Sequence, residues 1–295
     1  MEFFSLAEQE QIAVTAQAEM SRLTTFRIGG PCRWLMEPDT EEKLLRALAL
    51  CRQTKTPHML LGNGSNLLVS DEGIDGAVIR TCRLKSIIRN ENLLTAQCGV
   101  PLNVLCRYAA ENGLSGLEFA YGIPGTVGGA AVMNAGAYGG ELAQVCTAVR
   151  AVDSCGTVHV YRGEELGFGY RRSAFADKTV LDIQVQLQPD EPGAIFARME
   201  DYMNRRREKQ PLEWPSAGSV FKRPEGYFAG ALIEQAGLKG CCVGGACVSE
   251  KHAGFIVNKG GATCGDVRAL IEQVRQTVHK QFGVALECEI RFCGK

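Results

Sequence analysis

The residues best suited to chemistry lie in five short segments. The first is the run Phe119–Gly140, 22 residues with seven glycines and no charged side chain. Glycine admits positive φ and close approach of another molecule to the main chain. Such a run can aim several N–H groups at one anion. No Gly-Lys-Ser/Thr follows, so a Walker A loop is excluded; a tight, turn-rich crossover is the competing structural reading. The second segment is Leu61–Leu68, LGNGSNLL. Its Gly62-x-Gly64 lacks the third glycine of the dinucleotide fingerprint, and no ribose-binding acid follows. His58–Leu61 and Leu67–Val69 read as strand, turn, strand. Together the two loops form a split clamp able to hold a pyrophosphate on amides, each charge-assisted contact being worth ~1.5–3 kcal/mol.

The other three segments supply side chains. Arg171, in Gly169-Tyr-Arg-Arg-Ser173, can fork onto a carboxylate; a surface arginine is the alternative, and Arg172 fits that alternative. Ser219, in Ala217-Gly-Ser-Val-Phe221, is a weak acid that suits only a very basic carbanion, or else a turn serine bonding its own backbone. No G-x-S-x-G surrounds Ser219 or Ser65, so a nucleophile elbow is excluded. Glu289 and Arg291 are either a polarising carboxylate with its counter-charge or an exposed ion pair worth little, with Glu287 on the same face as a control. Lys209 with the adjacent arginines of Arg205-Arg-Arg207, and Lys222 and Arg223, are candidates for a diphosphate, against the alternative that basic residues at a helix C-terminus answer its dipole. His252 has no paired acid or metal-ligand spacing and reads as structural.

Elements must hold these residues in place. The spacing predicts helices over Thr40–Gln53, Leu102–Glu111 and Thr263–Phe282, the last with a Thr263–Asp266 capping box. A further helix ends in Arg205-Arg-Arg-Glu-Lys209. Strands are expected at Gly76–Arg80, Leu93–Cys98, Val145–Asp153, Thr157–Tyr161 and Thr179–Leu187. A last strand over Val284–Cys293 would send Val284, Leu286, Cys288, Ile290 and Phe292 to one face. Pro189–Gly193 reads as a linker. The 295 residues suffice for two domains with real cores, and a net charge of −1 offers no field for nucleic acid or anionic membranes. There is no signal segment and no apolar run of ~18 residues. Thirteen cysteines lack any C-x-x-C spacing and read as reduced, buried thiols of a bacterial cytoplasm, with no metal site.

Five segments in register, Leu61–Leu68, Ile123–Gly129 with Asn134-Ala-Gly-Ala-Tyr138, Phe168–Phe175, Pro215–Pro224 and Glu287–Arg291, resemble the UDP-N-acetylenolpyruvoylglucosamine reductase family. The resemblance runs from Thr25 to Phe292. It implies an α+β fold of the vanillyl-alcohol-oxidase-like superfamily: a two-lobed FAD-binding domain in 1–80 and 81–190, then an α+β substrate-binding domain in 194–295. It implies a cytoplasmic flavoprotein oxidoreductase of peptidoglycan synthesis, with NADPH as reductant, UDP-N-acetylglucosamine enolpyruvate as substrate and no obligate protein partner. Flavin N5 would deliver hydride to the vinyl carbon and Ser219 the proton, while Arg171 and Glu289 stabilise the developing charge. FAD would lie on Gly62, Asn63, Gly64, Ser65, Asn66, Leu67, Ile123, Pro124, Gly125, Thr126, Gly128, Gly129, Asn134, Ala135 and Gly136. Substrate contacts would come from Arg171, Lys209, Lys222, Arg223 and Arg291. The longer type of the family carries a tyrosine-bearing insertion between the arginine and serine motifs. This chain has no room for it there, resembles the shorter type, and gives Tyr202 no inherited catalytic role. Another FAD oxidase on the same fold, or a non-catalytic flavin or nucleotide-sugar module, are the alternatives that the Ser219, Arg171 and Glu289 motifs argue against.

Overall fold

Residues 2–294 are described in a computed structural model; Met1 and Lys295, the outer ends of the first and last sequence blocks, lie outside them. The chain forms two compact units that interleave along the sequence. One gathers Met1–Thr15, Trp34–Asn63 and Gly76–Arg206, and the other Ala16–Arg33, Gly64–Asp75 and Arg207–Lys295.

In the first unit, α1 (Glu2–Gln9) precedes α2 (Glu41–Gln53). Thr40 caps α2, its hydroxyl accepting from the Lys43 N–H at 3.2 Å, and the helix buries Leu44, Ala47, Leu48, Leu50 and Cys51. The strand His58–Leu61 pairs in parallel with Ala77–Arg80. A five-stranded antiparallel sheet runs in the order Val158–Arg162, Cys146–Val152, Thr179–Gln186, Leu93–Gln97, Ile87–Asn90. In its central strand Asp182 is buried among apolar neighbours. The strand is central and the helix Val127–Met133 packs on it, so its carboxylate is met by Arg150 at 2.7 Å, which also reaches Glu41 at 2.6 Å. Helix α3 (Leu102–Glu111) ends at Asn112 and Gly113, the glycine at φ +65°.

The glycine-rich run is not loop throughout. Its middle is the short helix α4 (Val127–Met133), stopped by Asn134 in the left-handed region. Its two glycines weaken its helix propensity, and packing accounts for the first of them: a Cβ on Gly128 would lie 2.8 Å from Cys98 Cβ. The stretch read as a linker holds the short pairing of Gln188–Pro189 with Leu114–Ser115 and then the first turn of α5 (Pro192–Lys209). Arg198 on α5 bonds Glu118 at 2.8 Å and Asp190 at 2.5 Å.

In the second unit a four-stranded sheet runs Ser216–Ser219, Phe255–Asn258, Ala246–Val248, Cys242–Val243. Helices α6 (Ala229–Gln235) and α7 (Cys264–Phe282) share a core built on Leu232, Ile233, Val267, Leu270, Ile271, Val274 and Val278. The predicted capping box is present: the Thr263 hydroxyl accepts from the Asp266 N–H, and the Asp266 carboxylate accepts from the Thr263 N–H, both at 3.0 Å.

Two expectations are corrected here. The strand over Val284–Cys293 shrinks to Arg291–Cys293, which pairs in parallel with Leu67–Val69. Upstream only Cys288 bridges, to Phe221. Leu286 and Ile290 are buried as the alternation required, whereas Phe292 is 48% exposed. The thiols are not all free and buried either. Cys242 and Cys247 face each other across the Gly244-Gly245 hairpin, with Cα atoms 4.1 Å apart, and form a disulfide. The distance suits a non-hydrogen-bonded antiparallel pair. Cys155 is exposed. Burial pushes the Cys51 thiol up to about 11 and those of Cys98 and Cys146 up to about 12, which leaves them inert.

Candidate active site

The first unit brings the start of one glycine loop onto the other. The Asn63 amide donates to the Pro124 carbonyl at 2.7 Å. A Cβ on Gly62 would lie 2.4 Å from the Thr126 hydroxyl, so only glycine fits there without displacement. The second loop is fixed from behind by Val127 N–H to Val100 O and Gly128 N–H to Cys98 O, both 2.8 Å. Those two amides are therefore committed to protein. Others are not: among the described residues the N–H groups of Asn63, Gly64 and Ser65 meet no protein acceptor. Gly64 has φ +62°, the kind of backbone that forms an anion-binding nest. The Thr126 hydroxyl is buried with no hydrogen-bond partner. Within the first unit, an orphaned buried hydroxyl and the uncommitted Asn63 N–H fit the polar diphosphate of a dinucleotide such as FAD.

The same unit sets Arg171 beside that loop. Asn134 donates its amide to Gly169 O at 3.1 Å and accepts from the Ala143 N–H at 2.9 Å, so its side chain is committed to tying two loops together. Ser173 donates to Val132 O at 2.9 Å. Between these anchors Gly169 and Arg172 close a tight turn, with Arg171 at its tip in the left-handed region, φ 55°. Non-glycine residues hold that conformation at some cost, and such strain concentrates at functional sites. The guanidinium of Arg171 donates to Gly136 O at 3.3 Å. Arg172 is exposed, as its surface reading required. Ala135 donates its N–H to Ala130 O at 3.0 Å, and Ile123 donates to Ala120 O at 2.9 Å. Gly125 O accepts from Leu102 at 3.0 Å, and Gly129 lies one residue further into α4 than Gly128.

The second unit joins Ser219 to Glu289. Gly218 has φ +79° and the strand is bulged between Ser216 and Ser219. This turns Ser219, whose hydroxyl donates to Phe221 O at 3.3 Å. The next residue, Val220, accepts from the Glu289 N–H at 2.7 Å, and Lys222 donates its N–H to Glu287 O at 2.8 Å. Asn66 closes the group, donating its side-chain amide to Glu289 O at 3.2 Å and accepting from the Arg291 N–H at 2.9 Å. So Asn66, Leu67, Ser219, Glu289 and Arg291 meet within one unit. Glu287 forms an exposed ion pair with Lys222 at 3.0 Å, which engages the ammonium expected to meet the diphosphate. Arg223 stacks on the Phe228 ring at 3.9 Å, and Lys209 is exposed at the end of α5.

His252 accepts from the Gly254 N–H through Nδ1 at 3.1 Å, and burial pulls its imidazole below the ordinary range. No group of three His, Cys, Asp or Glu side chains able to hold a metal occurs among the described residues, and none of their helices is long and apolar enough to cross a membrane. A groove of about 780 Å³ in the second unit, along α7 and Phe292–Gly294, contains none of the predicted residues. Of the arginines beside Lys209, Arg206 lies against Gly122 of the glycine loop, and sequence reasoning gave no role to Tyr138 of that loop or to Tyr202, whose ring stacks on it. The signal was available: Tyr202 and Arg206 are four apart on a helix.

Comparison with known proteins covers both units. Residues 33–162 match the model of an FAD binding domain, and residues 210–293 that of the UDP-N-acetylenolpyruvoylglucosamine reductase C-terminal domain. The chain is 47% identical to the UDP-N-acetylenolpyruvoylglucosamine reductase of Clostridium perfringens, over 100% of this chain and 98% of that protein. It is 49% identical to that of Clostridium botulinum, over 94% and 91%. The crystal structure of UDP-N-acetylenolpyruvylglucosamine reductase from Thermus caldophilus superposes with TM-score 0.81 at 37% identity, covering 96% of this chain and 98% of the other. A berberine bridge enzyme variant, at 14% identity, TM-score 0.50 and coverage of 64% and 44%, shares the fold of the vanillyl-alcohol-oxidase-like FAD-binding domain.

Proposed function

From the chain's place in the UDP-N-acetylenolpyruvoylglucosamine reductase family, to which it belongs, we propose that it reduces the enolpyruvyl ether of UDP-N-acetylglucosamine enolpyruvate to the lactyl ether of UDP-N-acetylmuramate. NADPH is the reductant and the bacterial cytoplasm the place, as a step of peptidoglycan precursor synthesis. FAD, when bound, supplies the hydride. The loops around Gly62–Leu67 and Ile123–Gly136 hold it, with lobes in 1–80 and 81–190, and 194–295 receives the substrate.

The chain's own residues do the rest. Hydride addition to a vinyl carbon leaves negative charge spread into the adjoining carboxylate, and a fixed guanidinium there lowers the barrier. Arg171 fills that role; its strained turn gives the side chain a set origin. Glu289 polarises the same group, with Arg171 and Arg291 offsetting its charge. Ser219 delivers the proton to the neighbouring carbon, where the basicity of the carbanion compensates for a weak acid. Lys209, Lys222 and Arg223 meet the diphosphate of the substrate.

The observation that carries this reading is the 2.7 Å bond from Glu289 N–H to Val220 O, which ties the proposed proton donor and charge stabiliser to one backbone. Stopped-flow absorbance of Ser219→Ala tests it. Flavin reduction by NADPH should be almost unchanged. Reoxidation by the enolpyruvyl substrate should slow by the ~10²–10⁴ typical of a lost positioned acid. Reoxidation at nearly the normal rate would return Ser219 to a turn serine.

A further inference from the structure

Helix α5 ends on the glycine-rich loop, and one face of it does so with two residues. Tyr202 and Arg206, one turn apart, lie against Tyr138 and Gly122. The Tyr202 and Tyr138 rings stack at 4.8 Å and 7°. The Arg206 stem crosses Gly122 so closely that a Cβ there would lie 3.0 Å from its Cδ. Tyr138 is held at φ 54°. All four residues belong to the first unit.

The guanidinium of Arg206 is the unusual group. It makes no hydrogen bond, ion pair or ring contact among the described residues. Burial pulls it below the ordinary arginine range, with the Tyr138 phenol opposing. Its neighbour Arg205, by contrast, is exposed and paired with Asp201 at 2.7 Å. A half-buried cation without a counter-charge is costly, and protein cations taken from water are normally paired. Its five donors sit in a fork suited to phosphate oxygens, and Tyr138, whose phenol is close enough to act on it electrostatically, ends in a hydroxyl able to donate as well.

We propose that Arg206, assisted by the Tyr138 hydroxyl, binds a phosphate of a diphosphate ester at the glycine-rich loop. FAD, the nucleotide-sugar substrate and NADPH all carry that group. The inference rests on the function proposed above, narrows the arginines beside Lys209 to one, and adds Tyr138. It also gives the Tyr138–Tyr202 stack a task, as the clamp that keeps the end of α5 on the loop.

The test uses the purified flavoprotein and three affinities: FAD by fluorescence quenching, UDP by perturbation of the flavin spectrum, and NADPH by the concentration dependence of flavin reduction. Arg206→Ala should weaken one of them ~10- to 100-fold, the range of one or two charge-assisted bonds. The affinity that falls identifies the source of the phosphate. Arg206→Lys should retain part of the affinity, and guanidinium ion at low millimolar concentration should restore part of it to the alanine variant. A packing defect would show neither effect. Where Arg206→Ala fails to fold, Arg206→Lys decides alone, since a point charge without the fork must bind more weakly than wild type. All three affinities within twofold of wild type overturn the inference and leave the function intact. A wild-type protein that takes up no FAD overturns both.

Discussion

Gly62→Ala tests whether the two glycine loops meet as described. An alanine Cβ at this position would lie 2.4 Å from Thr126 Oγ1 and 3.5 Å from Thr126 Cβ and Cγ2. Gly62 is outside the left-handed region, so the backbone accepts alanine, and reduced freedom of the unfolded chain would by itself favour it by ~0.4–1 kcal/mol. The penalty is therefore all contact. Thr126 is 3% exposed and stiff at χ1, and two of its three staggered wells keep a heavy atom in the way. Overpacking of this kind costs ~1–3 kcal/mol. Placed on the loops that hold the flavin, it corresponds to about 5- to 150-fold in FAD affinity, measured by titrating apoprotein with FAD and following its fluorescence. The double variant Gly62→Ala/Thr126→Ala should bind FAD as Thr126→Ala does, because the nearest atom of residue 126 is then its Cβ at an ordinary contact distance. Gly62→Ala/Thr126→Val should stay weak, since a methyl replaces the hydroxyl. Equal losses with threonine and alanine at 126 would show that the clash is not the cause. Wild-type affinity in Gly62→Ala would show that the loops do not approach.

The paired neighbours give a second check: Arg171→Ala and Glu289→Ala should each slow flavin reoxidation by substrate ~10²–10³-fold, while Arg172→Ala and Glu287→Ala change it less than tenfold. Equal damage from the neighbours would refute the assignment of roles. Thiol titration in denaturant should count eleven groups before reduction and thirteen after; thirteen without reductant would rule out the Cys242–Cys247 bridge. Burial pushes the Glu118 carboxyl up, but its own backbone N–H, Arg198, Ser115 and the Gly116 N–H together hold it below the ordinary range. A depressed carboxyl stabilises the fold above its unfolded pKa near ~4.3 and loses that contribution as pH falls through the folded value. Arg198→Ala should therefore cost ~1–3 kcal/mol at pH 7 in urea unfolding, with the difference from wild type shrinking toward pH 3. A difference independent of pH would assign the loss to packing.

What the sequence revealed and what it hid divide along the range of the interaction. Thr263–Asp266 was legible because a capping box is closed within four residues, and α3 because Asn112-Gly113 stops it locally. The fold class and the family were legible from motifs that are themselves contiguous. The interior of the glycine run was not, because two glycines weaken the propensity of α4, and the contact that accounts for Gly128 is with Cys98, some thirty residues away. The bridge at Cys242 and Cys247 was hidden for a similar reason: their spacing matches no motif, and only the register of a hairpin turned by two glycines makes them opposite.

The last strand is the most instructive case, because alternation alone could not separate two structures that both satisfy it. From Leu286 to Ile290 the chain buries Leu286 and Ile290 and half-buries Cys288, but it is held by single bonds, Lys222 N–H to Glu287 O and Glu289 N–H to Val220 O. A continuous ladder begins only at Arg291, where Leu67–Val69 offers an edge. The period of two therefore reported burial at Leu286 and Ile290 but not at Phe292, and pairing incorrectly. That difference bears on the proposed chemistry. A ladder through residues 287–289 would take up their backbone groups evenly along the strand. The sparse attachment instead bonds Glu289 to the residue after Ser219 on one side and to Asn66 on the other. The carboxylate assigned to charge stabilisation is thus positioned by the serine motif and the first glycine loop rather than by a sheet. Asn66→Ala should accordingly impair reoxidation by substrate without removing any group that touches it, and Asn66→Asp, which keeps the shape but loses the donor, should do the same. Normal reoxidation in both would mean that the Val220 bond suffices to place Glu289.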